Sequence, residues 1–225
     1  MKNSKSNALL GRGRILVMTA VAAERDAVCS GLMGDERFEV MLAGVGPASA
    51  AARTAFALSK GKYTAVISAG IGGGFAERAD VGSVVIADEI VAADLGAETP
   101  EGFCSVDELG FGSSRIAVEE EWGNLFRGAL KEALFPVHTG SVLTVSTATG
   151  TAETCQALLN RHPRAAAEAM EGYGVAAAAQ DFGLPMIEIR AISNVVGPRD
   201  RDAWRIPEAL DKLKAAFSII SEVSS

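Results

Sequence analysis

The chain has 225 residues, enough for one large domain with a substantial core. Its 48% hydrophobic content and mean hydropathy of +0.21 exclude a disordered composition, and no run of about 18 uninterrupted apolar residues exists to span a membrane. The formal charge of −7, from 21 basic and 28 acidic residues without a basic cluster, argues against a nucleic-acid surface.

In chain order, Met1–Gly13 reads as a flexible polar tail ahead of a domain over 14–225. The basic start and the apolar run Ile15–Ala23 also fit a signal peptide. Cleavage there would delete the first strand, so a strand over 14–21 and a cytoplasmic protein are the expectation. A helix follows through residues 23–32, then a strand over 38–46. Pro47 opens an Ala-rich helix that Gly61 closes. "YTAVISAGIGGGF" (63–75) is an apolar run ending in glycines, as a buried strand feeding a ligand loop would be. Residues 82–94 continue the sheet, and 95–115, rich in Gly, Ser and acids, read as a loop. A helix around 119–134, a strand over 139–147, a helix over 151–160, a strand over 184–194 and a helix over about 207–222 complete the pattern. The sum is a single three-layer α/β domain with a central mixed, mostly parallel sheet flanked by helices. Ligands in such folds gather where strand ends meet helices.

One stretch resists simple placement. "AAAEAMEGYGVAAAAQ" (165–180) suits burial, yet holds Glu171 between Met170 and Gly172. Either Glu171 shares a solvated helix face with Glu168, or it is buried with a partner or ligand that satisfies it. Glu24 follows the first strand and Asn194 ends the strand over 184–194. The glycines at 70 and 72–74 match neither the G-x-G-x-x-G fingerprint nor a phosphate loop, leaving a close ligand approach or a tight turn. Cys29, Cys104 and Cys155 are scattered, which fits a reducing compartment. The two histidines show no metal-site spacing, so neither metal nor cofactor is expected.

"AVAAERDAV", "GVGPASAAA", "ISAGIGGGF…DVGSVVIADE", "LTVSTATGT", "AMEGYGVA" and "RAISNVVGPRDRDAW" occur in consistent order from about residue 14 onward. Together they resemble the purine nucleoside phosphorylase and nucleosidase superfamily, and within it the futalosine hydrolases of the alternative menaquinone pathway. The resemblance implies that Glu24 deprotonates an attacking water, whereas a phosphorylase needs cations there. It implies that Glu171 and Met170 line the ribose, although the methylthioadenosine nucleosidases carry a second acid where this chain has Ala169. It implies that Asn194 faces the leaving base. Adenosine-type nucleosidases have an aspartic acid there, and an amide suits the O6 and N7 edge of a hypoxanthine. Gly73 and the backbone near Gly150–Thr151 would line the pocket, and Arg199 or Arg201 would either meet a carboxylate of the substrate or form a solvated ion-pair loop. Bland alternatives remain for Glu24, as a first-turn helix acid, and for Asn194, as a cap. The resemblance further implies a small purine nucleoside as the only ligand and a homodimer or larger homo-oligomer. The alternatives are a methylthioadenosine-type nucleosidase, a purine nucleoside phosphorylase, or a module that binds purines without cleaving them.

Overall fold

The computed structural model describes residues 13–223. The tail expected over 1–13 lies outside the described residues except for Gly13. Strands β1 (Arg14–Thr19), β2 (Phe38–Leu42), β3 (Tyr63–Gly74) and β4 (Val84–Ala92) follow the apolar runs of the sequence. A small hairpin, β5 (Gly96–Thr99) and β6 (Gly102–Ser105), precedes β7 (Arg115–Ala117), β8 (Val137–Thr144), β9 (Ala165–Ala169) and β10 (Met186–Val195). The helices are α1 (Ala22–Leu32), α2 (Pro47–Lys60), α3 (Val106–Leu109), α4 (Glu120–Glu132), α5 (Ala152–Arg161), α6 (Gly172–Asp181) and α7 (Ile206–Val223).

The large sheet runs β10-β4-β8-β9-β3-β1-β2, and β3 also pairs with β10. Five strands therefore close into a ring, with β1 and β2 as an extension. The ring mixes directions: β3–β10, β4–β8 and β8–β9 are parallel, whereas β4–β10 and β3–β9 are antiparallel. This closure corrects the expected three-layer arrangement, while the sheet is mixed as expected, with β1–β2 and β1–β3 also parallel. The long β3 explains it, because its twelve residues pair with β1 early and with β9 at Gly73 and Gly74, turning the sheet back on itself.

Two further readings are corrected. The segment 165–180, which the sequence left unplaced, divides: its first five residues form β9, buried throughout, so Glu168 lies on a strand and not on a solvated helix face, and α6 begins at Gly172. The loop read over 95–115 carries the β5–β6 hairpin, and a reciprocal cap between Ser105 and Glu108 starts α3. Helices cover the ring from two sides. Val28, Leu32, Phe126, Leu213 and Phe217 of α1, α4 and α7 pack in one cluster, and Ala50, Leu58, Val175 and Ala179 of α2 and α6 in another. Each buried Leu, Val or Phe contributes about 1.5–3 kcal/mol relative to exposure.

Candidate active site

Glu24 is the third residue of α1, and its Oε2 accepts the N–H groups of Ala20 at 2.9 Å and Val21 at 3.2 Å. A helix opens with unpaired N–H groups, and an acid in the first turn satisfies them locally. Its other oxygen, Oε1, accepts the N–H of Ile71 on β3 at 2.8 Å. Glycine at position 70 permits that approach: a Cβ there would stand 2.5 Å from Glu24 Oε1 and 2.7 Å from Arg190 Nη1.

Arg190 of β10 is 1% exposed and gathers the acids around it. Its Nε donates to Glu188 Oε1 at 2.8 Å, Nη2 donates to Ser68 Oγ at 3.1 Å, and Nη1 lies 3.3 Å from Glu171 Oε2. Glu171 occupies the N-cap position of α6 and is only 6% exposed. Its second oxygen accepts the N–H of Gly46 at 3.3 Å. Gly46 caps α2 with φ +88°, a conformation that favours glycine. The acid inside the small-residue stretch is thus buried and ion-paired, and it does not lie on a solvated helix face.

Three carboxylates surround one guanidinium. Burial pushes the Glu24 carboxyl above its ordinary range. Arg190 and the N–H groups of Ile71 and Val21 pull it back without cancelling the rise, and Glu171 adds to it. Burial also opposes the charge on Arg190, but Glu188, Glu171 and Glu24 outweigh it, so its pKa is raised and it stays cationic.

Asn194 stands on the same floor from the other side. It pairs with Gly73 in the β10–β3 register, next to an irregularity that shifts the register between Ile192 and Asn194. Its Nδ2 donates to Val195 O at 3.1 Å, and Ser193 Oγ lies 2.9 Å from its Oδ1 and 3.2 Å from Gly72 O. The carboxamide is half-exposed and keeps one N–H and one lone pair for a ligand. Ile71, Gly72 and Gly73, also half-exposed, run between Asn194 and the group formed by Glu24, Arg190 and Glu171. Met170 is half-buried where β9 leads into α6.

Thr151 is placed differently. Its hydroxyl caps α5, accepting the N–H of Thr154 at 3.1 Å, and the residue is exposed. The neighbouring backbone belongs to the Asn194 side, since Gly150 O accepts the N–H of Arg199 at 3.1 Å. Arg199 stacks over Trp204 at 5.1 Å. The exposed Arg201 opens a short 3-10 turn over Arg201–Ala203.

Three buried polar residues were not read from the sequence as part of the site. Glu168, 7% exposed, accepts the N–H of Thr149 at 2.8 Å and also the Thr149 hydroxyl, so it ties the loop after β8 to β9. Glu188 and Arg190 were passed over as part of an apolar strand. Their two-residue spacing was the available signal, because it places both charges on one face of β10, where they can pair. Among the described residues no group of three or more His, Cys, Asp and Glu could hold a metal ion, and no helix is long and apolar enough to cross a membrane.

A mixed α/β ring with buried acids at its strand ends agrees with the family comparison: the phosphorylase superfamily matches residues 19–222. The chain is 48% identical to the futalosine hydrolase of Streptomyces coelicolor, over 93% of this chain and 95% of that one. It is 44% identical to the futalosine hydrolase of Acidothermus cellulolyticus, over 91% and 89% of the two chains. The native structure of the futalosine hydrolase of Helicobacter pylori strain 26695 shares the fold, with a TM-score of 0.78 at 17% identity, over 94% of this chain and 97% of that one. The chain belongs to the phosphorylase superfamily and, within it, to the futalosine hydrolase family.

Proposed function

We propose that this chain hydrolyses the N-ribosidic bond of futalosine, releasing hypoxanthine and dehypoxanthine futalosine, a step of menaquinone biosynthesis. The observation that carries the reading is the buried Glu24 carboxylate beside Arg190 and Glu171, in a chain 48% identical to a futalosine hydrolase. Glu24 acts as the base. It takes a proton from water as the water oxygen bonds to C1′ and the electron pair of the ribosyl C–N bond leaves with the purine. Glu171 accepts hydrogen bonds from ribose hydroxyls and Met170 packs on the sugar. Asn194 donates to O6, a contact that strengthens as charge develops on the leaving base, and accepts from N7–H once N7 has taken a proton from solvent. The backbone at Gly73 and near Thr151 lines the pocket. Three carboxylates around one guanidinium disfavour a phosphate nucleophile, which supports water in that role.

The reading includes a cytoplasmic setting and assembly as a homodimer or larger homo-oligomer. Exposed apolar side chains such as Phe56 and Phe111 support an interface. Incubation with futalosine, inosine or methylthioadenosine, with and without phosphate, tests the reaction. Chromatography should find hypoxanthine released from futalosine at a rate indifferent to phosphate, and little adenine from methylthioadenosine. A requirement for phosphate, or futalosine left intact, would overturn it.

A further inference from the structure

We propose that Glu188 is a positioning residue: it holds the guanidinium of Arg190 by one edge, so that Nη1 faces Glu171 and the wall beside Glu24. The inference rests on the roles given to Glu24 and Glu171 above.

Glu188 is wholly buried, its Oε1 accepts Arg190 Nε at 2.8 Å, and its Oε2 has no hydrogen-bond partner among the described residues. Charge balance does not require it. Glu171 and Glu24 already bring two carboxylates to Arg190, so a third buried carboxylate adds desolvation cost that neutralising the guanidinium does not require. What Glu188 alone supplies is a grip on Nε. With Nε held by Glu188 and Nη2 on Ser68, the guanidinium plane cannot turn. Nη1 is then left pointing between Glu171 Oε2 at 3.3 Å and Ile71 O at 3.4 Å.

The surroundings are shaped to seat this carboxyl. Gly172, the first residue of α6, lies against it: a Cβ there would stand 2.1 Å from Glu188 Oε2 and 2.3 Å from Oε1. The helix end that carries Glu171 therefore also receives Glu188, where the positive end of the helix dipole favours an anion. The charged groups facing Glu188 are Arg190 on its own strand and Glu171 on α6, while Glu24 of α1 faces Arg190.

Glu188→Gln keeps the shape but replaces the charge-assisted bond to Nε with a weaker neutral one, which frees the guanidinium to turn. More of the positive field of Arg190 then falls on Glu24, which lowers its carboxyl pKa and weakens it as a base. The expected result is a folded protein whose kcat on futalosine falls by roughly tenfold or more, with the acid limb of the kcat/KM profile moved to lower pH. Glu188→Asp, which keeps the charge and shortens the reach, should lose kcat without moving the limb downward. Wild-type kcat and an unmoved limb in E188Q would overturn the proposal. If E188Q does not fold, wild-type kcat in E188D would do so. Wild-type release of hypoxanthine in the same assay separates failure of this inference from failure of the functional reading. Crystal structures decide it without turnover: Nη1 should leave Glu171 in E188Q, and an unmoved guanidinium would sink the idea.

Discussion

Asn194 stands opposite Gly73 across the β10–β3 pairing, and a Cβ on Gly73 would lie 3.1 Å from Asn194 Nδ2. The carboxamide and the glycine backbone therefore form one surface. An amide there is both donor and acceptor and cannot protonate a leaving base. Asn194→Ala should lower kcat on futalosine by about 10²–10³-fold, the usual cost of removing a donor aimed at developing charge. Asn194→Asp should lose futalosine turnover and gain adenine release from methylthioadenosine, both read by chromatography of the free base. Unchanged preference in the Asp variant would show that another residue selects the purine.

Glu24 reaches the β3 backbone through Ile71 while its own helix start holds its second oxygen. Both oxygens are fixed, so the carboxylate is oriented before any substrate arrives. Glu24→Gln should keep nucleoside binding, measured by calorimetry, and lose about 10²–10⁴-fold in turnover. Burial holds the Glu24 pKa above the ordinary 4.5, and a base works only when deprotonated. The wild-type rate should therefore fall as the pH drops through a value above 4.5. An acid limb below that value would place the base elsewhere.

Much of this site was legible in sequence because its residues sit at strand and helix ends, where composition changes abruptly. Glu24 follows an apolar run, Asn194 ends one, and the glycines after Ala69 mark a close approach. Glu171 was visible as an acid among small residues, but its ion pair was not, because Arg190 is 19 positions away and meets it only through the folded ring. Ring closure itself was hidden, since the antiparallel β3–β9 pairing joins segments about 95 residues apart through backbone groups that leave no side-chain pattern. β9 was hard to separate from α6 because alanine-rich residues suit a buried strand and a helix alike. The resemblance put the backbone near Gly150–Thr151 at the pocket, and the cap that the Thr151 hydroxyl gives α5 was legible only once the helix start was placed.

His162, the C-cap residue of α5, offers a test of stability that leaves the candidate site untouched. Burial first, then Arg115 and Arg161, lower its pKa from 6.5 to about 4, with Glu89 opposing. Its Nδ1 lies 3.3 Å from Arg115 Nη2, and a guanidinium can only donate, so Nδ1 accepts and Nε2 carries the proton. The folded state therefore keeps this imidazole neutral at pH values where the unfolded chain would protonate it. Its contribution to stability is present above pH 6.5 and is lost as pH falls toward 4. Because the side chain is only half-buried, solvent screening leaves on the order of 1 kcal/mol of that effect. His162→Gln removes the titration. Urea unfolding of the two proteins should give curves that converge in stability as pH falls from 7 to about 4.5, with the variant losing less than the wild type. Parallel pH dependence would mean that His162 titrates normally in the folded protein and that the neighbouring guanidinium groups do not govern it.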